Sequence, residues 1–428
     1  MVNPQKAKQV LQEIDRTKLI DLAVALVRIN SVWDPETGTG EKEAAEYVAH
    51  WATGQGFEVA VEEVAPGRPN VVVAFGSGPG ARHLLFEGHT DVVTPGDPDH
   101  WQYNPFGAVI EGNRMYGRGA NDTKGNLAAM LIAMAALKRS GVELSGRIIG
   151  GILCDEEDLM LGVQDFIRRG HAEDLTAAVI CEPQDGFICC TQKGAIRARY
   201  TVRGRMSHGA MPLSGLNPAP ALAHLIEGLG SMELDAVDRH GRDELLGWPS
   251  FTPTVIRAPV RGPGQLNVVP ESGMVLVDIR TNPGQSHPEI ISRLESLAGK
   301  VREDTMQAYA LYDRRLGNPR NASCSVDVEI LADRPTTETD RKDPIVLAAH
   351  WATQKILGTE PVYAGVPGAT DGTYLRAWKG IPIVTLGAGD RAIPHQVDEW
   401  VDLDQLADMA AVYALTALAY LAPEEPIA

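Results

Sequence analysis

Positive charge is in short supply. The chain of 428 residues carries 39 lysines and arginines against 56 aspartates and glutamates, a net charge of −17 with histidine neutral. That deficit argues against nucleic acid or an anionic membrane as partner. Cysteine is scarce as well. There are five, an odd number, at Cys154, Cys181, Cys189, Cys190 and Cys324, and no CxxC pair occurs. Such a distribution suits neither a disulfide framework nor a cysteine-bound structural zinc, and it fits a reducing compartment. Long apolar runs are missing too. The longest, "LAAMLIAMAAL" and "AAVYALTALAYLA", are too short to span a bilayer and read as buried helices. The opening stretch "MVNPQKAKQVLQEIDRTKLI" has no apolar signal core, so a cytoplasmic protein is expected.

What is present is a globular composition, 44% hydrophobic and 22% charged, over a length that exceeds one ordinary core. Residues 5–30 carry helical spacing, and "EKEAAEYVAHWATGQGF" reads as a further helix stopped by its glycines. Short β-rich runs follow: "FEVAVEEV", "NVVVAFG" and "HLLFEGHTDVV". The Ala-rich "NLAAMLIAMAALKRSG" is a helix suited to burial on a sheet. "RIIGGILCDEE" and "AAVICEP" are nearly continuous apolar runs, as central strands are. This alternation predicts a mixed-sheet α/β sandwich. After "TQKG" the texture changes. "AIRARYTVRGR", a helix near 217–230, "TPTVIRAPV", "NVVPESGMVLVDIRT", the helix "HPEIISRLESLAGKV" and "SVDVEILADRP" give the order of a ferredoxin-like α+β layer. "TTETDRKD" reads as a polar link, and the α/β pattern resumes at Pro344. A small domain, residues 194–335, is therefore expected inside a larger one made of residues 1–193 and 336–428.

The unusual polar residues fall at strand ends. His89 and Asp91 follow one apolar run, Glu156 and Glu157 a second, and Glu182 a third. Asp122 lies in the glycine-rich "GRGANDTKG", and His395 in a loop after "IPIVTLGAG". Ligands of α/β sheets collect outside the carboxyl ends of strands, so these sites are expected to converge on one crevice. Each residue alone has an ordinary reading: Asp122 a helix cap, "DEED" a solvated loop, His89 a satisfied histidine. Carboxylates gathered in a half-buried crevice need compensating positive charge to stay ionised. Divalent ions supply it, and imidazole with carboxylate suits zinc, manganese or cobalt. Two ions sharing a bridging carboxylate would use about this many ligands.

The ordered set "GHTDVV", "GRGANDTKG", "DEE", "CEP", "GRMSHGAMP" and "PHQVDEW" resembles the dinuclear zinc aminoacylase and carboxypeptidase family. That family holds acetylornithine deacetylases, succinyl-diaminopimelate desuccinylases, aminoacylases and glutamate carboxypeptidases. The resemblance runs over nearly the whole chain and implies a zinc-exopeptidase-like catalytic domain with an inserted lid and dimerisation domain. It implies that His89 and Glu182 hold one metal, Glu157 and His395 the other, and that Asp122 bridges them. Asp91 would orient His89, and Glu156 would act as general base on a metal-bridging water. The reaction implied is hydrolysis of a C–N bond, most simply deacylation of an N-acyl amino acid. A dipeptidase, a carboxypeptidase and an aminohydrolase acting on a non-peptide C–N bond are the alternatives. In the small domain, His208 matches a histidine that reaches into the partner's site of a homodimer. Asn267, Arg280, Gly368 and Thr370 match substrate-binding positions. One departure stands out: Asp158, Leu159, Met160 and Leu161 replace the small residues that many relatives carry after "DEE".

Overall fold

The apolar runs pair into a nine-stranded mixed sheet in a computed structural model that describes residues 2–76, 82–316 and 323–421. The strand order is Glu58–Ala65, Arg68–Gly76, Gly146–Leu153, Arg82–His89, Ala177–Ile180, Ile383–Thr385, Ile188–Gln192 and Thr337–Glu338, with Tyr363–Val366 on Ile188–Gln192. Gly146–Leu153, Arg82–His89, Ala177–Ile180 and Ile383–Thr385 run parallel to one another, and Arg68–Gly76 and Ile188–Gln192 flank them antiparallel. In register, His89 lies opposite Leu153, and Glu87 opposite Ile180. Parallel strands point their carboxyl ends the same way. The loops after His89, Leu153, Ile180 and Thr385 therefore emerge along one edge of the sheet.

Helices cover both faces. Lys124–Ser140 is buried along almost its whole length and packs on Leu403–Tyr420 and on the strand Arg82–His89. Leu84 and Phe86 face this side. Leu161–Arg168 and Gly372–Lys379 pack on the sheet from elsewhere. Gly372 sits so close to Ile180 and Ile383 that an added Cβ would come within 3 Å of both side chains. Side chains alternate along a strand, so Glu87 and His89 share the face that carries Ile180 and Gly372.

Residues cluster into two compact units, one formed by 1–191, 337–366 and 370–428, the other by 192–336 and 367–369. The smaller has a four-stranded antiparallel sheet ordered Ser250–Arg257, Ser272–Thr281, Gly194–Arg203, Ser325–Arg334. The helices Ala219–His240 and His287–Leu316 complete the ferredoxin-like pattern. Alternation in Gly194–Arg203 is clean: Ile196, Ala198, Tyr200 and Val202 are buried with Leu225, Leu229 and Leu294. On the opposite face, Arg199 pairs with Glu329 and Arg203 with Asp327.

Several elements differ from the sequence reading. The segment 5–30 is two helices, Pro4–Gln12 and Arg16–Arg28, because the Asp15 side chain accepts from the amides of Thr17 and Lys18 and starts a new helix. The strand Ile188–Gln192 was not anticipated. It pairs with Thr337–Glu338, which lies within the supposed polar link. "NVVPESGMVLVDIRT" is two strands, Val268–Val269 and Ser272–Thr281, and the first pairs with Ser207–His208. Both helices of the small unit run a dozen residues or so beyond their expected ends.

Candidate metal and catalytic site

The sheet edge brings the expected donors together in two groups. His89, Asp122 and Glu182 form one, and Asp122, Glu157 and His395 the other, each with its ligand atoms within 4.8 Å of one another. Asp122 is common to both, and its two oxygens divide between the imidazoles. Oδ1 lies 3.2 Å from His89 Nε2, and Oδ2 lies 3.5 Å from His395 Nε2. Glu182 Oε1 is 3.4 Å from His89 Nε2, and Glu157 Oε2 is 3.0 Å from His395 Nε2. The capping alternative for Asp122 does not hold, since the helix Lys124–Ser140 has Thr123 at its N-cap and no side-chain cap bond.

The electrostatics are those of a site that wants cations. Burial pushes Glu182 up to about 7, with Asp122 adding to the rise. Burial also raises Glu157, and Asp122 contributes again. Burial works against charge on Asp122 too, yet the hydrogen bonds from His395 and His89 hold it below the usual carboxylate range. Those carboxylates lift His395 to about 10, Asp122 contributing most and Glu157 next. Glu182 Oε1 is buried and accepts no hydrogen bond. Three carboxylates and two imidazoles, with one carboxylate turned to both groups, fit two divalent ions of the zinc, manganese or cobalt type.

Glu156 belongs to neither group. It is half-buried beside them, and its pKa stands well above the ordinary value. Burial is the main cause, partly opposed by His89 and reinforced by Glu182 and Glu157. Asp91 does more than face His89. Its oxygens accept from the amides of Glu156 at 3.2 Å and Glu157 at 3.0 Å, so it fixes the loop that carries both. His89 Nδ1 lies 3.0 Å from the Asp91 carbonyl oxygen and 3.5 Å from its Oδ1. The crowding in "DEED" resolves residue by residue. Asp155 is buried and paired with Arg68 at 2.5 Å, and Arg68 also holds buried Glu41 at 2.5 Å. Asp158 and Leu159 are exposed, while Met160 is fully buried.

In the small unit, His208 and Asn267 are adjacent. His208 pairs with Val268 across the ribbon, and the Gly209 amide donates to the Asn267 carbonyl at 2.7 Å. The Ala210 amide donates to His208 Nδ1 at 3.0 Å, which leaves the proton on Nε2. His208 and Asn267 are exposed. Arg280 lies near the far end of the strand Ser272–Thr281 from that ribbon and pairs with Asp278 at 2.6 Å. Gly368 has open space where a Cβ would stand. Thr370 is buried just ahead of the helix Gly372–Lys379.

Sequence reasoning missed several charged residues. Glu399 is buried and accepts from the amides of Asn121 and Asp122, both at 2.9 Å, and Arg118 pairs with it at 2.5 Å. Both residues stand inside motifs singled out for their neighbours, "GRGANDTKG" and "PHQVDEW". A lone charge beside a proposed ligand was the only signal. Glu87, two residues before His89, is fully buried, and its pKa is raised well above normal by burial, with Asp371 and Glu182 nearby.

Comparison with known proteins places this arrangement. Residues 85–419 match the sequence pattern of peptidase family M20/M25/M40. The chain belongs to that family. It is a metal-dependent hydrolase of C–N bonds. A succinyl-diaminopimelate desuccinylase from a Methylobacterium species is 29% identical over 95% of this chain and 96% of its own. The N-formyl-4-amino-5-aminomethyl-2-methylpyrimidine deformylase of Bacillus subtilis is 25% identical over 94% of each. Among solved structures, an M20 family metallo-carboxypeptidase from Sulfolobus solfataricus superposes with a TM-score of 0.76 at 19% identity, over 95% of this chain and all of that one. That last likeness concerns the fold. No helix among the described residues is long and apolar enough to cross a membrane.

Proposed function

We propose that this M20 chain removes the acyl group from a small N-acyl amino acid, or a related amide carrying a carboxylate, with two zinc ions as cofactor. The observation that carries the reading is the split of the donors into two groups sharing Asp122, with Glu156 beside them and outside both. Two of the relatives are, by name, a desuccinylase and a deformylase. Both names describe release of an acyl group, which favours deacylation over the dipeptidase alternative.

Zinc held by His89, Glu182, Asp122, Glu157 and His395 would polarise the amide carbonyl and lower the pKa of a water. Glu156 takes the proton of the attacking water and later hands it to the departing nitrogen. Its raised proton affinity suits a group that must hold a proton between two steps. Asp91 keeps Glu156 in place through its backbone amide and steadies the His89 ring. His208, with its proton on Nε2, donates to the developing oxyanion. It acts from the partner chain of a homodimer, the domain 194–335 serving as lid and dimerisation domain, while 1–193 and 336–428 form the catalytic domain. Asn267, Gly368 and Thr370 bind substrate, and Arg280 joins them by exchanging Asp278 for a substrate carboxylate. The five free, buried cysteines support a reducing, cytoplasmic setting.

The test is metal analysis joined to turnover of a panel of N-formyl, N-acetyl and N-succinyl amino acids and dipeptides. About two ions per chain are expected, with activity lost on chelation and regained on adding zinc. Full activity in chelator from a metal-free chain refutes the metal reading. Turnover of dipeptides alone replaces deacylation by peptidase activity.

A further inference from the structure

We infer that the buried Arg118–Glu399 pair is a positioning device that sets the spacing between Asp122 and His395, and with it the affinity of the more exposed metal group. The inference rests on the two-metal reading above. Arg118 is 2% exposed and Glu399 0%. An ion pair so deeply buried gains little over apolar side chains of the same volume, because both charges lose their hydration. The reason for this one lies in what each charge does with its remaining capacity.

Glu399 uses Oε2 for Arg118 Nη1 and turns Oε1 to two successive amides, those of Asn121 and Asp122. Arg118 turns Nη2 to the carbonyl of His395 at 3.3 Å and that of Thr94 at 3.4 Å. Its guanidinium also lies over the Trp101 ring, 5.2 Å from the centroid. The backbone closes the arrangement, with the Gly117 amide on the Glu399 carbonyl at 2.9 Å. The main chain at Asp122 and the main chain at His395 are thus tied to one ion pair, though the residues lie far apart in sequence. Further ties join the same segments, since Asn121 Nδ2 donates to the Asp390 carbonyl at 2.8 Å.

The two metal groups depend on this pair unequally. His89 and Glu182 stand at ends of central strands, His89 0% and Glu182 6% exposed, and the sheet register positions them. His395 stands on a loop with a positive φ of 67°, and its side chain is 52% exposed. That loop is tied to the large sheet through Arg391, which donates to the Gly365 carbonyl, and it is tied to the Asp122 segment by the Arg118–Glu399 pair. Asp122 is common to both groups, so loss of the pair should disturb both, but it should loosen the group formed by Asp122, Glu157 and His395 more than the group formed by His89, Asp122 and Glu182, which keeps two donors at strand ends.

The experiment titrates metal-stripped chain with Zn²⁺ by calorimetry and with Co²⁺ by its visible absorption. Wild type, Glu399→Gln, Arg118→Lys and the uncharged pair Arg118→Met/Glu399→Gln are compared, each first checked for wild-type circular dichroism. Two binding events are expected in wild type. In Glu399→Gln the weaker event should lose affinity by roughly 10- to 100-fold, as residues behind metal ligands typically do, while the tighter one loses clearly less. Excess metal should then restore kcat. Arg118→Lys keeps the charge and should show a smaller loss, which holds the test open if Glu399→Gln fails to fold. Two unchanged binding events in every folded variant, or equal weakening of both, overturn the inference while leaving the metal reading intact. A wild-type chain that binds no divalent ion overturns both.

Discussion

Replacing Glu156 by glutamine removes one function and little else. Glutamine has nearly the same shape, and the backbone amide of residue 156 keeps its bond to Asp91. Glu156 lies in neither donor group, so both metal groups should keep their ligands. What disappears is a carboxylate able to accept a proton. General acid–base catalysis contributes roughly 100- to 10,000-fold, or about 3–5 kcal/mol of transition-state stabilisation. In the proposed mechanism one carboxylate serves both proton transfers, so the loss belongs at the upper end of that range or beyond. The loss should fall on kcat. KM should move little, since the interaction removed is made in the transition state.

The assay pairs steady-state kinetics on the best acyl amino acid with metal analysis of the same preparation. Expected are two ions per chain, an unchanged melting curve, and kcat reduced by several orders of magnitude. A metal-loaded Glu156→Gln chain retaining a tenth or more of wild-type kcat would refute the assignment of the proton carrier. A variant that loses a metal ion would instead make Glu156 a ligand and leave the base to be found elsewhere.

Four further outcomes follow from the same geometry. His208→Ala should lower kcat about 100- to 1,000-fold with a small change in KM; mixed with Glu156→Gln chains it should regain part of its activity, and demonstrated mixed dimers that stay inactive would end the shared-site idea. Metal uptake at pH 7 should release at least about one proton per chain, because His395 holds its proton to about 10 and Glu182 to about 7; release should increase as the pH falls below 7, and heats that do not depend on the buffer's ionisation enthalpy would contradict it. Arg68→Met leaves Glu41 and Asp155 buried without their cation, and should lower stability by roughly 3–5 kcal/mol, read as a lower urea midpoint. Gly389 has φ 96°, and a Cβ there would stand 1.6 Å from Asn121 Oδ1; Gly389→Ala should therefore displace the Asp122 loop and weaken metal binding, and unchanged affinity would show that this loop tolerates the shift.

The donors were legible because of how parallel strands announce themselves. Gly146–Leu153 and Ala177–Ile180 are covered on both faces and apolar almost throughout, and Arg82–His89 carries the apolar run Leu84–Phe86 at its centre. Against such runs, a histidine or glutamate at the carboxyl end is conspicuous. Register then does the rest, since adjacent parallel strands deliver their ends to one edge. The helix break at Asp15 was less legible, because apolar residues recur through both helices while the cap rests on one side chain, Asp15, accepting from Thr17 and Lys18.

What escaped the sequence is the layer that holds the donors. Glu399 reaches Arg118 across 281 positions, and Arg68 reaches Asp155 from the neighbouring antiparallel strand. A buried ion pair has no periodicity and no fixed spacing, so its members look like ordinary surface charges until the chain is folded. The difference has a chemical counterpart. Ligands must present particular atoms at the end of a strand, which ties their identity to position in the sequence. The residues behind them need only place one charge near another, and many positions could provide it. Asp155 shows both sides within four adjacent carboxylates. Glu157 faces His395 across the crevice, Glu156 stands beside it, and Asp155 turns away, with φ 65°, to meet Arg68. The cluster that seems costly in sequence is thus spread over three environments, the buried pair of Asp155 with Arg68, the crevice shared by Glu156 and Glu157, and solvent at Asp158, and the left-handed turn at Asp155 turns the first away from the second.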